Sequence, residues 1–279
     1  FDIKLTLEPL PGLKIQVNGK RYFANTSTIT MTGGEQIENL NGSFNITSVG
    51  LATMFSKIGN EADNFSNSAF DQFLINRDIL QNRVQNQYRD VILPRQGFMR
   101  DMPNDQKYQP GVNGLPVPKN SADVLVPAFL AAYTGRDAST MNLNPFLGIL
   151  KILPNWSVTY DGLSKLPGIK EHFRSFSLTH AYVCKYSIGS YGSYSTWVGP
   201  NGTQDKQLGF IKDVTSGMPI PSSSYDITNV SLSESFSPLI GLNMSLKNSL
   251  NCKFEYRKQR NLAMNITSVQ ITEGHTDEF

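Results

Sequence analysis

The first candidates for chemistry are three histidines, two cysteines and a scatter of loop carboxylates. His180 and Cys184 fall on one face of a strand-like stretch. Four residues along a strand cover about 13 Å, so the two cannot share a metal ion unaided, and their spacing fits no zinc pattern. Asp101, Asp105, Asp137 and Asp161 lie in loops and could meet calcium at a surface, but no EF-hand spacing accompanies them. The sequence holds no phosphate-binding loop, dinucleotide fingerprint, metalloprotease helix or nucleophile elbow. The Gly-rich run from Gly189 to Ser195 lacks a following lysine and helix, and reads as a flexible loop. Cys184 and Cys252 are too few for a disulfide framework and read as small hydrophobes on apolar faces. No enzyme, cofactor or metal is expected.

The elements that would carry these residues are mostly strands. Charged residues make up 17% of the 279, and the net charge is +2, so nothing points to a nucleic-acid partner. No apolar run approaches the roughly 20 residues of a membrane-spanning helix; the longest uncharged one holds Pro127 and is too short. A chain of this composition would meet a membrane as strands. The period-two signal is strongest in the last third: Phe176, Leu178, His180, Tyr182, Cys184, Tyr186 and Ile188 alternate with small or polar residues. The same alternation runs through Trp156–Tyr160, Leu239–Leu246, Leu250–Arg257 and Asn261–Thr267, and more weakly through Tyr225–Glu234. Phe1–Leu7 and Leu13–Val17 flank a Pro- and Gly-containing turn, and a further strand is expected within Ser43–Lys57. Residues 235–238, 247–249 and 258–260 read as turns too short for crossover helices, so neighbouring strands must be antiparallel. The long connection 189–224 stands against them.

The middle of the chain changes period. From Ser68 to Val91 the apolar residues fall at helical spacing, with Ser68 and Asp71 resembling a capping box and Pro94 beyond the end. Phe70, Phe73, Leu80 and Val84 are expected to form its buried face. A second helix is expected over Val124–Tyr133, with Gly135 as its C-cap. The reading divides the chain into N-terminal strands (1–60), a helical and Pro/Gly-rich insert at the lumen or rim (61–153), and antiparallel strands with the long loop (154–279).

Two-faced strands joined by short turns on one side and a long loop on the other suit a transmembrane β-barrel. Trp156, Tyr160, Leu178, Tyr182, Tyr186, Leu242, Leu246, Phe254 and Met264 are expected to face lipid. Lys185, Asn243, Lys253, Glu255 and Arg257 are expected to face an aqueous lumen, because a cation on the lipid face at mid-bilayer costs roughly 2–4 kcal/mol.

Particular segments add a resemblance. Leu153-Pro-Asn-Trp-Ser-Val-Thr-Tyr-Asp-Gly-Leu leads into Phe176-Ser-Leu-Thr-His-Ala-Tyr. Upstream stands Leu125-Val-Pro-Ala-Phe-Leu-Ala-Ala-Tyr-Thr-Gly; downstream stand Ser237-Pro-Leu-Ile-Gly-Leu, Glu255-Tyr-Arg-Lys-Gln-Arg-Asn-Leu and Ile271-Thr-Glu. In this order, from about residue 70 to the end, the chain resembles the SprA/Sov family, the outer-membrane translocon of the type 9 secretion system. The resemblance implies a stretch of a very large single-chain barrel in the outer membrane of a Gram-negative bacterium. It also implies export of folded cargo carrying a C-terminal signal, partnership with a PorV-type shuttle, a plug protein and an inner-membrane motor, and gliding motility in some relatives. The chain is far too short to close such a barrel, and Phe1 and the uncapped end at Phe279 read as the limits of a piece of a longer protein.

Two other classes fit part of the pattern. A soluble secreted β-sandwich adhesin would hide its apolar strand faces against a second sheet. Another outer-membrane barrel, such as a nutrient receptor, would carry a separate plug domain. Aromatic residues at the ends of the apolar faces, such as Trp156 and Tyr186, favour a membrane girdle.

Overall fold

Strand takes 47% of the residues and helix 19%, so the chain is mainly β. A computed structural model describes residues 1–32, 35–56, 59, 66–200 and 207–279. The boundary expected between residues 60 and 61 lies outside the described residues.

One antiparallel sheet organises the molecule. Its strands are β1 (Asp2–Leu10), β2 (Leu13–Thr32), β3 (Glu35–Thr47), β4 (Asn155–Tyr160), β5 (Phe173–Ser193), β8 (Tyr225–Ile227), β9 (Asn229–Leu246), β10 (Asn251–Asn265) and β11 (Gln270–Glu278). They occupy seven lanes, because β3 and β4 share one and β8 and β9 another. Lanes adjacent in sequence are adjacent in space, so the sheet is a simple up-and-down meander. Such an order follows from the short connections: Pro11-Gly12 joins β1 to β2, and residues 247–250 join β9 to β10.

The third lane is a strand interrupted by a domain. β3 pairs with β2 as far as Arg21–Ile46, and β4 resumes at Asn18–Asn155. Between these points the chain leaves the sheet after Thr47 and returns to the same lane at Asn155. The described residues of this insert carry the helices α1 (Leu51–Met54), α2 (Ser68–Gln87) and α3 (Ala122–Thr134). The phase shift near Val49 in the sequence marks this departure, since β3 stops at Thr47.

α2 forms over the expected stretch, with two differences. Its N-cap is Asn67, whose Oδ1 accepts from Ala69 N at 3.0 Å and Phe70 N at 3.1 Å; Ser68 is the first helical residue and makes no capping box. Its buried side chains are Ala69, Phe73, Asn76, Leu80 and Val84. Phe70 is a flank residue, 38% exposed, leaning on Phe73 at 6.0 Å, because the helix turns about 100° per residue and Ala69 takes the inward position. α3 is buried over its whole length and ends at Gly135, φ 66°. Pro127 lies inside it, so the proline that breaks the apolar run in composition does not break the helix. α2 covers α3: Arg83 donates to the carbonyls of Ala138 (2.6 Å) and Met141 (2.8 Å), and Gln81 to Val117 O (2.7 Å).

The long connection after β5 is no free loop. Residues 189–193, expected to be flexible, are the last part of β5. Beyond them a small hairpin, β6 (Phe210–Lys212) with β7 (Pro219–Pro221), lies against the insert. Phe210 packs on Tyr88 at 5.5 Å and Tyr108 at 5.4 Å. Leu115 N donates to Pro219 O (2.9 Å), and Ser223 N to the Asp123 carboxylate (2.8 Å). The insert and this connection together make one cap on one face of the sheet.

Two further expectations change. Residues 235–238 and 258–260 are not turns; β9 and β10 run straight through them. In β9, three residues (237–239) stand against the single Arg257 of β10. This bulge absorbs two extra residues, so the side-chain parity is the same above and below it.

Leu80 is fully buried between the cap helices. Leu80→Asp removes its packing and strands a charge there, and is expected to destabilise the cap by at least about 4 kcal/mol. Amide exchange should then rise through α2 and α3 while the lower rungs of β5 and β9 stay protected. Unchanged protection of α3 would show that the cap does not depend on this face.

Candidate membrane-facing surface and the buried charges above it

Below the cap the sheet presents rungs of uniform character. Directly paired residues project to the same side. One rung reads Leu13, Tyr160, Leu178, Leu242, Phe254 across five lanes. The next above it on the same face includes Leu7, Ile15, Val158 and His180, and the one above that Leu5, Val17, Trp156 and Tyr182. Below lie Phe176, Met244 and Cys252, then Phe173 and Leu246. Intervening rungs project to the other face and are polar or small: Lys14, Thr159, Thr179, Gly241, Glu255 in one, Ser177, Asn243, Lys253 in another. The alternation seen along each strand is thus in register across the sheet.

Up to the rung of Val158 and His180 the apolar rungs have no cover among the described residues. Ile3, Leu5, Leu7, Ile240 and Phe254 are each about half exposed or more. From Phe173 to His180 the open part of the band runs eight residues of β5, about 23 Å along the strand and roughly 18 Å in height at a tilt near 40°. Aromatic rings collect at both limits. Phe173 and Phe176 pack edge to face at 5.5 Å at the bottom. At the top Trp156 stacks on Tyr182 at 4.5 Å, and Phe236 lies 5.0 Å from Tyr182 and 5.5 Å from His180.

His180 has a structural task. Trp156 Nε1 can only donate, and it does so to His180 Nε2 at 3.1 Å. Nδ1 must then carry the proton, which it gives to Leu239 O at 2.7 Å. Leu239 lies in the β9 bulge, so the imidazole satisfies a carbonyl displaced from the ladder. Both ring nitrogens are thereby engaged. Among the described residues no three His, Cys, Asp or Glu side chains come together for a metal ion, and both cysteines are free.

Above the band the same face is buried by the cap, and there it holds charges. Glu234 and Arg260 are directly paired across β9 and β10, and each is 0% exposed. Arg260 Nε donates to Glu234 at 2.9 Å, and its Nη2 is a second donor to the same carboxylate. Its remaining hydrogens go to Thr53 Oγ1 (2.8 Å), Gly50 O (3.2 Å) and Tyr133 O (3.4 Å). The Tyr182 hydroxyl donates to Glu234 at 2.5 Å and accepts from Gly50 N at 3.0 Å. The network ties the insert's exit from the sheet, the last turn of α3 and three strands into one knot. Its periphery continues through Glu273, which meets Asn67 Nδ2 at 3.1 Å and His275 at 2.8 Å.

The residues expected to meet lipid therefore divide. Tyr160, Leu178, Leu242, Leu246 and Phe254 lie on the open band, with Trp156 half-buried at its top. Tyr182, Tyr186 and Met264 do not face lipid; they are 0%, 0% and 1% exposed, beneath the cap. Their parity is right, but a protein domain covers that part of the face. Lys185, Asn243, Lys253, Glu255 and Arg257 all project to the opposite face, where Glu255 bonds Lys253 at 2.8 Å and Arg257 at 2.5 Å along β10. The loop aspartates stand apart: Asp137 turns to Ser139 N (2.8 Å) and Oγ (2.6 Å).

No protein-family model matches the chain, and no curated protein matches it. The resemblance to the translocon family therefore rests on its motifs alone.

The turn expected at 258–260 hides Arg260, and Glu234 ends a weakly alternating strand, yet a signal exists. Glu234 has the parity of Val230, Leu232 and Phe236, and Arg260 that of Leu262 and Met264, so each is a charge on an apolar face. Removing one partner leaves the other buried and unpaired. Arg260→Met is expected to cost roughly 3–5 kcal/mol, whereas Arg260→Met with Glu234→Leu should cost much less. Equal losses in denaturant unfolding of the single and double variants would refute the pairing.

Proposed function

We propose that this chain is a stretch of the wall of an outer-membrane β-barrel, belonging to a translocon that exports folded proteins by the type 9 route. The observation that carries the wall reading is the open apolar band: most of the height of a barrel's lipid-facing belt, in register over five strands, and backed by a face of polar and small residues. Water is an unfavourable solvent for so continuous an apolar surface, and contiguous patches of this kind mark interaction sites. Hydrocarbon suits it.

The meander topology and the two outer strands support the same reading. The outer edges of β1 and β11 carry rows of backbone N–H and C=O groups with no strand beside them among the described residues. In a bilayer every such group needs a partner, which further strands of a closed barrel supply. The sandwich alternative would need a second sheet over the band, and among the described residues β6–β7 is the only other sheet and lies on the cap. A receptor plug would sit against the polar, lumenal face, whereas this cap packs on the apolar one.

The translocon assignment comes from the motif resemblance. In that role the chemistry is physical: the closed sheet holds the pore open, and its polar face lines water through which cargo moves. Lys253, Glu255 and Arg257 would face that water. Cargo with a C-terminal signal, a PorV-type shuttle and a plug protein are the partners the assignment brings with it.

Cysteine labelling of the full-length protein in intact membranes tests the wall, with Cys252→Ser as background and Cys184 buried. Probes at 253, 255 and 257 should react with water-soluble reagents, and probes at 242, 246 and 254 should not. Positions 182, 186 and 264 carry no information, since the cap shields them in any solvent. Equal reactivity of both sets would end the membrane reading.

A further inference from the structure

The cap ends on the sheet along a definable line. Ile152 lies over Gly19, where a Cβ would stand 2.7 Å from the isoleucine methyl. The next residue of β2 on that face is Val17, which belongs to the open band. Residues 147–153 are therefore the cap's lower lip. Arg21 Nε holds Leu147 O at 2.8 Å, and Leu153 N reaches Thr47 O at 3.4 Å. Between these anchors Leu150 stands 99% exposed.

Behind the lip opens a cleft of about 550 Å³ between this segment and the chain that follows α3. Arg136 and Lys151 line it, together with Met141, Leu147 and Leu153. Neither cation has an ion pair or side-chain hydrogen bond among the described residues. Asp137 also lines the cleft, but its carboxylate is taken by Ser139. Two cations without a side-chain partner among the described residues and a fully exposed leucine thus stand one rung above the open apolar band.

We propose that this cleft holds the phosphate headgroup of a bilayer lipid, with Leu150 dipping into the headgroup–acyl boundary. The inference rests on the membrane-wall reading and deepens it. The cap and the apolar band share a face, so a band in lipid sets the cap outside the barrel, resting on the membrane surface. A guanidinium offers a phosphate paired donors and an ammonium offers a point charge. Apolar side chains beside basic ones are the usual make-up of an interfacial contact.

The test uses the full-length protein in nanodiscs of phosphatidylcholine, alone or mixed with phosphatidylglycerol. A fluorophore on Leu150→Cys, in the Cys252→Ser background, should be quenched by brominated lipid. Native mass spectrometry should find phosphatidylglycerol retained over phosphatidylcholine. Arg136→Gln and Lys151→Gln should each lower that ratio roughly 5-fold, and inorganic phosphate should not displace the lipid. A ratio unchanged in both variants, or displacement by free phosphate, would overturn the proposal. So would an unquenched probe at 150. A second fluorophore on Leu242→Cys separates the two readings. Quenching at 242 with none at 150 removes the lipid cleft and leaves the wall; no quenching at 242 removes both. The Leu150 probe leaves the two cations intact, so it stands even if a charge variant folds poorly.

Discussion

Arg260 and Glu234 face each other on the sheet surface whose lower rungs are apolar, and neither side chain can be left in hydrocarbon without a partner. Their presence divides the face. Where the pair sits, the sheet must be covered by protein that can supply further hydrogen bonds, and Gly50, Thr53 and Tyr133 supply them. One rung below the pair Lys258 stands on the same face and is held by Asp277 of β11 at 3.0 Å; below that rung the five lanes carry no charge on that face and no cover among the described residues. The height of the open band is therefore set from above by a buried ion pair and from below by the ends of the strands.

The interrupted third lane makes this arrangement possible. A domain inserted within a strand, rather than at a hairpin, emerges in the middle of a sheet face. It can then lie flat on that face instead of hanging from an edge. Its return to the same lane costs the sheet almost no pairing, since β3 and β4 between them fill the space between β2 and β5. The connection after β5 folds back over the insert and closes the hydrophobic core on the side away from the sheet. Tyr88, Tyr108 and Phe210 are the contact at which the two segments of the cap meet.

In the proposed wall, strands such as β5 at 21 residues are about twice what a bilayer requires. The excess length is the platform on which the cap rests. A barrel built this way would carry rigid structure on its outer side, above the membrane, and leave its polar inner face clear for transport. The position of the β9 bulge fits the division: it lies at the boundary between band and cap, where the sheet must bend from one environment to the other, and His180 mends the carbonyl it displaces.

The period-two pattern and the short connections alone determined that this chain forms an antiparallel sheet with two unlike faces. Helical spacing and a glycine stop determined α2 and α3. Which residues share a face was also legible, because parity along a strand is a local property. What covers each part of a face was not, because cover is supplied by residues far away in sequence. Tyr182 and Tyr186 follow the same alternation as Leu178, yet the first two are fully buried and the last lies on the open band. Arg260 looked like part of a turn because it closes the polar run Lys258-Gln259-Arg260, and its partner is 26 residues away on the neighbouring strand. Only the tertiary structure brings Glu234 to it, since pairing register fixes which side chains meet across strands, and that register depends on a bulge with no period of its own.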